Sequence, residues 1–253
     1  MKDLMFFDSA CGIGSGPNIG IQPAVAELLS DMDYYGIDKA LVRHGNTAML
    51  GALETNNELA GMLRADSSGR LSGVWCILPD QCGELAEPDV FFARMKENRI
   101  AALTLFPFDH RYVPCRMTLG KIMDAAAERR IPVFISFDAF AQKWQEIYHF
   151  VCEFPRNVFI LTGSVKWGID RQIRPLLENF PFLYFSTVGY WVPEGIRDLA
   201  EIYGSERILY GSGYPVFNQG SSMLQLKQSG LSDEALTGIA GKNLENLLKG
   251  ALL

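Results

Sequence analysis

The chain has no CxxC pair: its five cysteines, Cys11, Cys76, Cys82, Cys115 and Cys152, are odd in number and scattered. That pattern argues against a disulfide framework and a thiolate zinc site, and it fits reduced thiols in a cytoplasmic protein. No apolar run approaches the roughly 20 residues needed to cross a bilayer, so no membrane partner is expected. Positive charge is in deficit, with 23 Lys and Arg against 29 Asp and Glu and a net charge of −6. No basic surface therefore points to nucleic acid. The opening MKDLMFFDSA carries an acid at Asp3 and too short an apolar stretch for a signal peptide. Phosphate-binding fingerprints are missing too. Gly12, Gly14 and Gly16 are followed by Pro17, which breaks GxGxxG, and no GK[ST] comes after. Nor does a Ser/Pro linker or low-complexity tract divide the chain, so residues 1–253 are expected to form one domain.

What is present is a repeat of strand and helix. Short apolar, β-branched or aromatic runs recur at 4–8, 39–44, 72–78, 101–106, 132–137, 158–163, 182–187 and 207–212. They lack clean alternation, as parallel strands covered on both faces do. Between them lie helical spacings, such as AVAELLSDMDYYG ending at Gly36 and LGKIMDAAAERR with basic residues in its last turn. Eight such units in 253 residues predict an α/β fold, a single (β/α)8 TIM barrel. A doubly wound sheet usually needs fewer strands at this length.

A barrel places its site at the C-terminal ends of the strands. Strand 1 ends in FFDSACGIG, with Asp8, Ala10 and Gly12 at every second position and so expected on one face. By the same alternation Cys11 points away from the pocket. Strand 2 ends in Arg43-His44, strand 5 in Ser136 and Asp138, and strand 6 in Thr162 and Gly163 with Lys166-Trp167 beyond. Strand 7 supplies Ser186 and Tyr190, and strand 8 supplies Ser212, Gly213 and Tyr214. The rim is mostly hydroxyls, glycines and aromatics.

Several of these stretches together resemble the amidohydrolase-related TIM barrels of the amidohydrolase 2 type, which include hydrolases, lactonases and non-oxidative decarboxylases. FDSACGIG stands where that family has D-x-H-x-H-x-G. RRIPVFIS is similar to its fifth strand, and VFILTGS to its sixth, which normally ends in His-x-Gly. RILYGSGYP resembles the strand-8 motif RilfGSDyP, and LSDEALTGIAGKNLENLL resembles the terminal helix. The resemblance implies a metal held by two strand-1 histidines, a strand-5 and a strand-6 histidine and a strand-8 aspartate. Here those places read Ala10, Gly12, Ser136, Gly163 (or Thr162 with a one-residue slip) and Gly213. A catalytic divalent ion usually needs at least three N, O or S protein ligands. The expectation is therefore no metal at this position and no cofactor.

Three functions are open to such a chain. The first is that of a metal-free relative, a pseudoenzyme, that binds a small organic molecule at the barrel mouth. Its binding surface would comprise Ala10, Gly12, Ser136, Thr162, Gly163, Trp167, Ser186, Tyr190, Ser212, Gly213 and Tyr214. The second is an enzyme using metal-independent acid–base chemistry through Asp8, His44 or Asp138. The third is a hydrolase or decarboxylase whose metal ligands have moved to His44, His110 and Asp138; ligand counting ranks it last. Purely structural roles are open to the same residues. Asp8 bonds neighbouring backbone groups, His44 is a satisfied structural histidine, and Asp138 caps the next helix. The partner expected is a small molecule, and a homo-oligomer is left open.

Overall fold

The computed structural model describes residues 4–14, 23–163 and 168–253. Eight parallel strands run in sequence order around one sheet. They are β1 (Phe7–Ile13), β2 (Lys39–His44), β3 (Leu71–Cys76), β4 (Ile100–Thr104), β5 (Val133–Ser136), β6 (Phe159–Thr162), β7 (Leu183–Ser186) and β8 (Ile208–Leu209). The helices are α1 (Val25–Tyr35), α2 (Ala52–Ala65), α3 (Pro88–Glu97), α4 (Arg116–Glu128), α5 (Trp144–Glu153), α6 (Asp170–Asn179), α7 (Gly195–Tyr203), α8 (Gln219–Lys227), α9 (Asp233–Thr237) and α10 (Asn243–Lys249). A π-helical turn, Gly238–Lys242, joins the last two. The end of β8 returns to β1 through Ser9 N–H to Tyr210 O (2.9 Å), Gly213 N–H to Ala10 O (3.1 Å) and Gly12 N–H to Tyr214 O (2.7 Å). These bonds close the ring into the expected (β/α)8 barrel.

Two apolar layers hold it. The outer layer lies between sheet and helices and takes Cys11, Ile13, Val42, Leu103, Ile135 and Leu161 from the strands, with Phe6 just before β1 and Tyr210 just after β8. The inner layer plugs the barrel with Phe7, Leu41, Val74, Ala102, Phe134, Ile160 and Leu209, one from each strand except β7, where Tyr184 packs alongside. Alternation then dictates what stands above this plug. Two residues on from the plug come Ser9, Arg43, Thr104, Ser136 and Thr162, and these face the barrel's upper interior.

One boundary departs from the sequence expectation. FFDSACGIG continues as strand through Ile13, because Cys11, Gly12 and Ile13 pair with Val42, Arg43 and His44. The register shifts between Asp8 and Cys11, where β1 spends three steps against two on β2. Such a bulge reverses the facing of the strand residues beyond it.

Candidate functional site

The cavity at the C-terminal end of the barrel has a volume of about 220 Å³. Its floor is Leu41, Val74 and Phe134, the upper surface of the plug. Its wall carries Ser9, Ala10, Gly12, Arg43, Thr104, Phe106, Ser136, Thr162 and Gly163, and its rim Asp138, Gly213, Tyr214 and Phe217. Of the residues read from the sequence, Ala10, Gly12, Ser136, Thr162, Gly163, Gly213, Tyr214 and Asp138 meet here. Trp167 lies outside the described residues. Burial, reinforced by Asp31 and Glu27, pushes the Tyr214 hydroxyl up to about 12.

Three hydroxyl-bearing candidates do not line the cavity. Ser186 is fully buried, with its Oγ 2.8 Å from Ser9 Oγ beneath the cavity. Ser212 is also fully buried; its Oγ accepts from Tyr214 N–H at 3.0 Å and lies 4.0 Å from Cys11 Sγ. Tyr190 packs edge-on to Phe185, and its hydroxyl donates to Asp170 Oδ1 at 2.5 Å, behind the β7 wall.

Asp8 and His44 also need correction. The β1 bulge breaks the shared face with Ala10 and Gly12, so Asp8 points out of the barrel toward α8. There its carboxylate accepts from Ser212 N–H (2.9 Å), Ala10 N–H (3.1 Å) and Gln219 Nε2 (3.4 Å). Burial raises its pKa against these hydrogen bonds. His44 follows Arg43 and therefore faces outward, toward α2. Its Nδ1 accepts from Asn46 N–H at 3.3 Å, so a neutral ring carries its proton on Nε2. That Nε2 lies 2.9 Å from Glu58 Oε2 but off the line of a hydrogen bond. Burial lowers the His44 pKa, and Glu58 opposes the shift. His110 is spent on structure as well: its Nε2 sits 2.9 Å from Thr47 O and its Nδ1 4.0 Å from Cys76 Sγ.

Sequence reasoning placed Arg43 at the end of β2 but gave it no role, and it left Ser9, Thr104 and Phe106 out of the site. For Arg43 the available signal was its spacing of two from Leu41, which belongs to the plug. The Arg43 side chain is ringed by protein atoms yet open to solvent through the mouth. Its guanidinium lies 5.8 Å from the centre of the Phe106 ring. Burial lowers its pKa, and the Asp138 carboxylate at the rim opposes this.

Fold and cavity together define a (β/α)8 barrel with a concave pocket at the C-terminal face. Residues 22–249 match the profile of the Amidohydrolase family, Amidohydro_2, and the chain belongs to that family. No curated protein sequence matches it. Among solved structures it is similar to an uncharacterized TIM-barrel protein from Bordetella bronchiseptica, at 20% identity and a TM-score of 0.73, covering 98% of this chain and 99% of that one. It is also similar to a 2,6-dihydroxybenzoate decarboxylase complexed with 2,6-dihydroxybenzoate, at 14% identity and a TM-score of 0.75, covering 97% and 99%. A third likeness is a dihydroxybenzoic acid decarboxylase from Polaromonas sp. JS666 with bound manganese and 2-nitroresorcinol, at 14% identity and a TM-score of 0.72, covering 97% of each chain. These likenesses are of fold.

The side chains here do not fit the metal that the family resemblance implies. Ala10, Gly12, Gly163 and Gly213 offer no side-chain donor, and Ser136 offers a neutral hydroxyl. Among the described residues no group of three or more His, Cys, Asp or Glu is placed to hold an ion. The cavity carries instead the fixed positive charge of Arg43, which repels a divalent cation.

Proposed function

We propose that this chain, taken as one domain over residues 1–253, has lost the family's metal ligands and binds a small organic molecule at the barrel mouth without metal. The observation that carries the reading is the cavity itself. Five positions where the family's ligands would stand line it, and none bears an imidazole or a carboxylate. A cavity of roughly 150 Å³ accommodates a benzene ring, so about 220 Å³ suits one ring with substituents. The apolar floor and hydroxyl-lined wall suit such a ligand. The two decarboxylase structures, each solved with a small aromatic molecule, are consistent with it. Acid–base catalysis is less well supported: of Asp8, His44 and Asp138, only Asp138 lines the cavity.

Thermal shift over a metabolite library tests this. A ligand at about 100 times its Kd adds roughly 2.7 kcal/mol, which raises Tm by several degrees. At least one compound should do so for the wild type and not for Ala10→Phe, whose ring fills the cavity while the protein stays folded. A wild type that no compound shifts, or a variant that responds equally, overturns the reading.

A further inference from the structure

Asp8 lies outside the cavity, yet it is bonded to the segment that builds one side of it. Between β8 and α8 the residues Gly213, Tyr214, Pro215, Val216 and Phe217 all line the cavity. This wall is close-fitting. A Cβ on Gly213 would stand 2.8 Å from the Phe217 ring and 2.9 Å from Val188 Cγ1. The Gly213 backbone is left-handed, at φ 76°, a conformation that glycine adopts without steric cost. Phe217 therefore packs directly against Gly213.

The Asp8 carboxyl stands where the ends of this segment meet β1. Ser212, just before the segment, donates its N–H to Asp8 Oδ1 at 2.9 Å. Gln219, which opens α8 just after it, brings Nε2 to 3.4 Å from Oδ2. The same Oδ1 accepts from Ala10 N–H at 3.1 Å, and Ala10 O accepts in turn from Gly213 N–H at 3.1 Å. One residue pair further on, Gly12 N–H donates to Tyr214 O at 2.7 Å. Asp8 is fully buried. Without it the Ser212 and Ala10 N–H groups lose their acceptor in a place closed to bulk water, which is costly.

We infer that Asp8 is a positioning residue: it pins the 213–217 segment to β1 and so keeps that wall of the cavity preformed. The use of the wall rests on the ligand-binding reading above, and the inference adds how the site is held ready. A wall ordered before the ligand arrives takes its ordering cost out of binding. The carboxyl expected among the catalytic candidates thus acts on the site through the backbone of a neighbouring segment.

Amide hydrogen exchange resolved by residue tests this. The reporters are Gly12 N–H, bonded to Tyr214 O, and the Val216 and Phe217 N–H groups, bonded to Gly213 O at 3.1 and 3.2 Å. Asp8→Ala should speed their exchange at least about tenfold. Asp8→Asn, whose side-chain oxygen still accepts from Ser212, should speed it less than about threefold. Leu103→Ala is the control. Leu103 is fully buried in β4, across the ring from β1 and β8, and its truncation weakens the whole fold through a cavity. It should leave the three reporters within about twofold of wild type. Reporters unchanged in Asp8→Ala, sped equally by Leu103→Ala, or sped equally by Asp8→Asn each overturn the inference. Circular dichroism checks folding, and Asp8→Leu, which fills the volume without supplying an acceptor, replaces Asp8→Ala if the latter does not fold. No ligand enters this measurement. A thermal-shift screen without a hit overturns the ligand-binding reading and leaves the pinning of the segment standing, whereas unchanged exchange overturns the pinning alone.

Discussion

Asp8→Ala is expected to lower the unfolding free energy by about 3 kcal/mol, and Tm by roughly 6–12 °C. The carboxyl is fully buried between β1, β8 and α8. Alanine there strands the Ser212 and Ala10 N–H groups and the Gln219 amide, and it leaves a void. Asp8→Asn should cost far less. Its side-chain oxygen still accepts from Ser212, and its amide can donate to Gln219 Oε1, an atom with no hydrogen-bond partner at present. The pH dependence separates the two variants further. The folded pKa of Asp8 is raised by burial, so the native state holds this proton more tightly than the unfolded chain. Its stabilising contribution is complete below the unfolded value, near pH 4, and is lost as pH rises through the folded value. The stability deficit of Asp8→Asn against wild type should therefore shrink as pH rises from about 4 toward neutrality. Denaturant unfolding across that range measures it, and a deficit that grows with pH contradicts the assignment.

Gly241→Val should be of comparable severity for a different reason. Gly241 lies in the π-helical turn that packs under the start of β1. A Cβ there would sit 2.6 Å from Met5 O and 2.9 Å from Phe7 N, both backbone atoms that cannot swing aside. The turn cannot retreat either. Ile239 O accepts from Tyr210 N–H at 2.9 Å, and Asn243 Nδ2 donates to Ser205 O (2.7 Å) and Ile208 O (2.9 Å). Overpacking against a fixed backbone costs about 3 kcal/mol, again roughly 6–12 °C in Tm. Gly250→Val serves as the control, since the nearest atom to its Cβ is 3.4 Å away. A thermal melt in which Gly241→Val matches wild type refutes the close-packing account.

The barrel was legible because each strand carries an apolar run bounded by turn residues. KALVRH, between Asp38 and Gly45, is β2 over the very residues read from the sequence. The helix read as ending at Gly36 does so, with that glycine in the left-handed conformation and its N–H bonded to Met32 O. The site was legible only where alternation ran unbroken. Ser136 and Thr162 lie two residues beyond plug residues Phe134 and Ile160, and both reach the cavity. Asp8 was misplaced because a bulge depends on pairing between strands, which no local pattern on β1 reports. His44 drew attention by its chemistry, yet parity from Leu41 assigns the interior to Arg43. Ser186 has the correct parity, but a hydrogen bond to Ser9, distant in sequence, covers it. Tyr190 lies beyond the end of β7, where strand alternation no longer applies.

Elemental analysis of untagged protein, expressed with manganese and zinc in the medium and purified without chelator, tests the central claim most directly. The expected result is no stoichiometric metal at the barrel mouth, in the wild type and in Ala10→Phe alike. One equivalent of manganese or zinc per chain in the wild type, displaced by Ala10→Phe, would contradict a site in which Arg43 supplies the only resident positive charge among the described cavity residues.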